Sequence, residues 1–62
     1  GPSVRTRSHL QKLGIEYTEQ LLDGFRAKWA QERGLTSMPI VVAEGQEPWC
    51  GYQPERIDGL VS

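Results

Sequence analysis

Apolar positions are sparse at the start of the chain and dense near its end. From residue 4 to 13 they are Val4, Leu10 and Leu13, with Thr6 falling on the Leu10 side, a thin stripe of helical period. Ser3 precedes the stripe with a hydroxyl suited to capping, and Gly14 follows it at a position where helices commonly close on a left-handed residue. The pattern predicts a helix over 4–13. Ile15-Glu16-Tyr17-Thr18-Glu19 then alternates apolar with polar, which predicts a half-buried strand over 15–19. Asp23 is a good cap for a second helix over 24–33. There Phe25 and Trp29, four apart, share one face, Ala30 and Leu35 extend it, and Gly34 marks the stop. Phe25 and Trp29 are expected in the core. Ile40-Val41-Val42-Ala43 is continuous and β-branched, as in a strand buried on both faces.

Glu44-Gly45-Gln46-Glu47 has turn chemistry. Pro48-Trp49-Cys50 reads as a short edge strand, where proline is tolerated. Gln53-Pro54 opens a last helix, since proline at the first helical position gives up an N–H that has no partner anyway, and Ile57, Leu60 and Val61 form its buried face. The order is α-β-α-β-β-α, a small α/β (α+β) fold with one mixed sheet and three helices.

Composition narrows how such a fold is held. At 62 residues, 37% of them hydrophobic, it is one domain at most, and domains this small bury only about 60% of their unfolded surface. One cysteine, Cys50, and one histidine, His9, exclude an internal disulfide and a structural zinc site. Good packing or a partner chain remains. Net charge is −1, so no bulk attraction to nucleic acid is implied. No apolar run approaches the ~18 residues of a membrane span. The lone free cysteine fits a reducing, cytoplasmic setting. Charge is nonetheless uneven: residues 1–14 carry Arg5, Arg7 and Lys12 and no acid, whereas 44–62 carry Glu44, Glu47, Glu55 and Asp58 against Arg56. Arg5 and Arg7 at a helix N-terminus make a candidate anion site. Gly1-Pro2 looks like the remnant of tag cleavage, so residues 1–3 are set apart as a remnant or extension and 4–62 are taken as the domain.

Three stretches carry a family resemblance. Leu10-Gln11-Lys12-Leu13-Gly14-Ile15-Glu16-Tyr17, Met38-Pro39-Ile40-Val41-Val42 and Trp49-Cys50-Gly51-Tyr52-Gln53-Pro54-Glu55-Arg56-Ile57 resemble glutaredoxin-like proteins. The nearest likeness is to the NrdH-type redoxins, thioredoxin-fold electron donors to ribonucleotide reductase. That group typically shows LDKxGIxY, APVVV and WSGFRPDRI segments. It also begins with a strand and a C-x-x-C motif, and here both are missing: counting back, the second cysteine of that motif falls at Ser3. The resemblance therefore implies a truncated thioredoxin-like fold without its first strand and its redox dithiol. Electron transfer is not carried over, because two thiols interconverting with a disulfide are that chemistry.

The resemblance further implies a cis bond before Pro39 and a backbone at Met38 free to take an extended peptide, which is strand addition on a small scale. Met38, Pro39, Trp49, Cys50, Gly51 and Tyr52 are thus the candidate partner-binding residues. The alternative is that Pro39 only opens a strand and that Trp49 and Tyr52 are core. Gly51 is expected to bring backbone close to backbone. In the resembled fold the missing strand lies between the strands matching 15–19 and 40–43. Its place is filled by 15–19 sliding across, by a second copy in a homodimer, or by a strand from another protein. Two functions follow. One is a non-enzymatic protein-interaction module with no cofactor, a kind of reduced fold common in small genomes such as those of bacteriophages. The other is a monothiol redox protein using Cys50, which stands where the redoxins usually carry serine. His9, without an Asp or second His at metal spacing, is expected to be exposed.

Overall fold

Proline occupies the first turn of two helices, where its fixed φ suits the helix. The computed structural model describes residues 1–61. Its elements are α1 (Pro2–Lys12), α2 (Gly24–Glu32), β1 (Ile40–Val41), β2 (Trp49–Cys50) and α3 (Pro54–Asp58). Pro2 opens α1 behind Gly1, and Pro54 opens α3 behind Gln53. Ser3 lies inside the first turn rather than capping it. Asp23 caps α2 as expected, its carboxylate accepting from the Arg26 N–H at 2.9 Å. Gly14 and Gly34 follow the ends of α1 and α2 at φ 70° and 73°.

β1 and β2 pair antiparallel, Ile40 opposite Cys50 and Val41 opposite Trp49. The Gly51 N–H donates to the Pro39 carbonyl at 2.8 Å and lengthens this contact. The Met38–Pro39 peptide is cis, as the resemblance implies. Together these elements form a small mixed α/β domain with three helices and a two-stranded antiparallel sheet.

The core lies where α1 packs on α3 beside the sheet. Leu10, Trp49 and Ile57 are buried at its centre, with Ile15, Val41, Ala43, Tyr52 and Leu60 half-buried around them. Several expectations are corrected here. Residues 15–19 are not a strand. The alternation is real, with Tyr17 and Glu19 turned to α1 through Gln11 and Arg7, but no neighbouring backbone pairs with 16–20 among the described residues, so no ladder forms. Nor has the segment slid across to β1. Val42 is 67% exposed, and Ile40 and Val41 are only partly buried, so the 40–43 run is not buried on both faces.

Phe25 is 85% exposed, because the two short strands offer no broad surface for α2 to cover. That helix turns inward its smallest side, Ala30, while Trp29 is half-buried beneath the Arg33 guanidinium, 4.2 Å from its ring centre. Val4, Leu13 and Val61 are likewise exposed. Each lies toward an end of its segment, beyond reach of the core.

Candidate functional site

Residues 38–43 carry two consequences of β geometry. Side chains alternate faces: Val41 and Ala43 pack on the core, while Met38, Ile40 and Val42 line a hollow on the far side, facing α2. Backbone groups alternate edges as well. The Pro39 carbonyl faces β2, so the same edge takes Val41, and the N–H and C=O groups of Ile40 and Val42 point the other way. Across from them runs the 15–20 segment: the Ile15 N–H donates to the Leu10 carbonyl at 3.0 Å, and the backbone of 16–20 has no backbone partner among the described residues. Between the two lies a groove of about 1040 Å³, lined by Ser3, Thr6, Arg7 and Leu10 of α1, by all of 15–20 and 38–44, and by Leu60. A second hollow, about 490 Å³, lies toward α2 and is walled by Leu21, Leu22, Phe25, Trp29 and Ala30.

The groove has polar features. Thr6 is 4% exposed, lines the groove, and its hydroxyl has no hydrogen-bond partner among the described residues. Glu16, Glu19 and Glu44 also line it. Glu19 is bonded to the Arg7 guanidinium at 2.6 Å, whereas neither Glu16 nor Glu44 has an ion-pair partner among the described residues. The expected anion site is thereby reduced: Arg7 is taken by Glu19, and of the two arginines Arg5 alone has no acidic partner among the described residues.

The other candidate residues divide. Met38 is half-exposed at the groove mouth, with no hydrogen bond to its backbone among the described residues, and Pro39 lies beside it. Trp49 is 2% exposed and belongs to the core, so its ring supports the sheet from beneath and is not open to a partner. Its indole N–H is buried without an acceptor among the described residues, and Arg56 lies 5.7 Å from the ring centre. Gly51 is needed for its φ of 76° rather than for close packing, because nothing lies within 4 Å of where a Cβ would stand. The Cys50 thiol is half-buried, and no base or cation lies within hydrogen-bonding reach of it among the described residues.

No protein-family model matches the chain, and no solved structure matches it. Among curated proteins, the Gene 56 protein of Mycobacterium phage D29 is 33% identical over 63 residues, covering 97% of this chain and 70% of the phage protein. The chain belongs to the family of that phage protein. An alignment of this extent takes in both walls of the groove. The relative's name states no activity, so the chemistry of the surface has to be read from its geometry.

One cluster escaped sequence reasoning. His9 is not free: its Nδ1 lies 2.8 Å from the Tyr52 hydroxyl and its Nε2 lies 2.8 Å from Asp58 Oδ1. An ionised carboxylate only accepts, so Nε2 carries the proton, and in the neutral ring Nδ1 accepts from the tyrosine. The partners are 43 and 49 residues away, and nothing local in the sequence announces them. The cluster ties α1 to α3 and holds Tyr52 to that face, away from the groove. Tyr52 therefore braces the core and, like Trp49, does not line the groove.

Proposed function

We propose that the chain is a catalytically inactive, redoxin-like protein-interaction module, a thioredoxin-type scaffold working without a dithiol. Its working surface is the Met38-Pro39 edge and the groove beside it. One observation carries this reading: two chain segments, 16–20 and the outer edge of 38–43, face a common groove with backbone groups that are unpaired among the described residues. An unpaired row of N–H and C=O groups is a template for another strand, and strand addition supplies affinity through main-chain bonds. The arrangement of the helices agrees with a redoxin-like scaffold, α1 and α3 lying on one side of 38–43 and α2 across a hollow on the other.

Selection from a displayed random-peptide library tests the proposal. Binders should be extended peptides whose affinity falls at least tenfold with Val42→Pro, which removes a groove-facing N–H and leaves the β1–β2 pairing intact. The same peptides should bind Cys50→Ser unchanged. Thiol-dependent reduction of a disulfide substrate, abolished by Cys50→Ser, would overturn the reading in favour of a monothiol redox protein.

A further inference from the structure

The groove and the hollow beneath α2 are two sides of one slot. They share Thr18, Gln20, Met38, Ile40 and Val42 as lining, so no closed layer of backbone separates the space over α1 from the space over α2. A chain laid between the two unpaired segments sends alternate side chains to opposite faces. One set meets Leu10, Ile15 and Leu60; the other meets Leu22, Phe25 and Trp29. Each face therefore offers apolar side chains to the occupant. An occupant with one apolar and one polar face would satisfy only half of the slot, whereas a continuous apolar run, the signature of a strand buried on both sides, satisfies all of it.

The rim sets the flanks. Glu16 and Glu44 stand on opposite walls without cationic partners among the described residues, and Glu19 is neutralised by Arg7. Acidic rims of this kind repel an acidic segment and favour lysine or arginine beside the apolar run.

From this geometry we infer that the slot receives an apolar β-strand from another protein, about six residues long, with side chains buried on both faces and basic residues at its ends. The inference rests on the reading of the chain as an interaction module, and it specifies what that module takes. Six extended residues span roughly 20 Å, matching the 15–20 and 38–43 walls. The occupant becomes the middle strand of the sheet, and the 15–20 segment gains the partner it lacks.

Three fluorescein-labelled synthetic peptides test this by fluorescence anisotropy. The first is Lys-Val-Ile-Val-Ile-Val-Val-Lys. The other two carry threonine or serine at alternate central positions, one in each register. The two-faced peptide should bind at least tenfold more tightly than either alternating peptide. Its affinity should fall tenfold or more with Val42→Pro or with Phe25→Asp. Exchanging its terminal lysines for glutamates should weaken it severalfold, and Glu16→Lys with Glu44→Lys should reverse that preference. Equal binding of an alternating peptide would overturn the two-faced slot while leaving the interaction module standing. Failure of all three peptides to bind, with random-library peptides still binding in a Val42-dependent way, would also overturn this inference alone, whereas failure of both would remove the module itself. A dimer in light scattering that Val42→Pro dissociates would identify the occupant as a second copy and overturn the assignment to another protein.

Discussion

Two buried donors without acceptors among the described residues, the Thr6 hydroxyl and the Trp49 indole N–H, make the core of this chain testable residue by residue. A buried donor left unmade costs about 1–3 kcal/mol, whereas replacing it by an apolar group of the same shape is close to neutral or stabilising. Thr6→Val is such a replacement, so it should leave the free chain as stable as before or more stable by about 1 kcal/mol. Trp49→Phe removes the unpaired N–H and keeps most of the ring, and its cost should stay under about 1.5 kcal/mol. Trp49→Ala empties the centre of the core and should cost about 3–5 kcal/mol. Urea unfolding of the three variants ranks them. A Trp49→Phe variant as damaged as Trp49→Ala would mean that the indole N–H has an acceptor after all.

Among the elements, α2 is held least. It buries only Ala30 among its residues, and its ends depend on local chemistry: Asp23 accepts from the Arg26 N–H and pairs with the Arg26 guanidinium at 3.0 Å, while Arg33 covers Trp29. Removal of a capping side chain costs about 0.5–2 kcal/mol. For a helix with so little tertiary support, that loss should appear as local fraying. Asp23→Ala should lower the far-UV helical signal and speed amide exchange across 24–32 while leaving exchange at Leu10 and Ile57 unchanged. Uniform loss of protection across the whole chain would show instead that α2 and the core open as one unit.

The same element marks where the sequence was readable. Asp23, Gly14, Gly34 and Pro54 act through neighbours a few residues away, and all four were found where their chemistry puts them. The hairpin from Ile40 to Cys50 is equally local. Phe25 and Val42 were misjudged because an apolar residue on a periodic face has to meet a surface, and the sequence does not say whether one is there. The 15–19 alternation is of the same kind: it specifies two faces, and a strand additionally needs an edge to pair with. His9 was misjudged for the opposite reason, its partners lying on the far side of the chain.

At the scale of the whole molecule the open slot becomes an energetic statement. The radius of gyration is 11.5 Å, against roughly 10.5 Å for a compact chain of this length, and Leu21, Phe25, Met38 and Val42 remain more than half exposed. Full burial of an apolar side chain of this size is worth about 1.5–3 kcal/mol, and the exposed part of each forgoes a share of that, which matters against the roughly 5–15 kcal/mol that holds a typical domain. A strand in the slot covers several of them at once, so occupancy and folding are linked. At a free peptide concentration one hundred times its dissociation constant, the folded state gains about 2.7 kcal/mol. In a domain of 60–100 residues each kcal/mol raises the melting temperature by about 4–8 °C, so saturating two-faced peptide should raise it by at least 10 °C. Calorimetry with increasing peptide should show the midpoint climbing with the logarithm of concentration. Val42→Pro should abolish the climb without lowering the midpoint of the free chain much, since the proline takes away only an edge N–H that has no partner until the slot is filled. A midpoint that stays fixed while anisotropy reports binding would place the peptide on a surface that plays no part in holding the fold, outside the slot between 15–20 and 38–43.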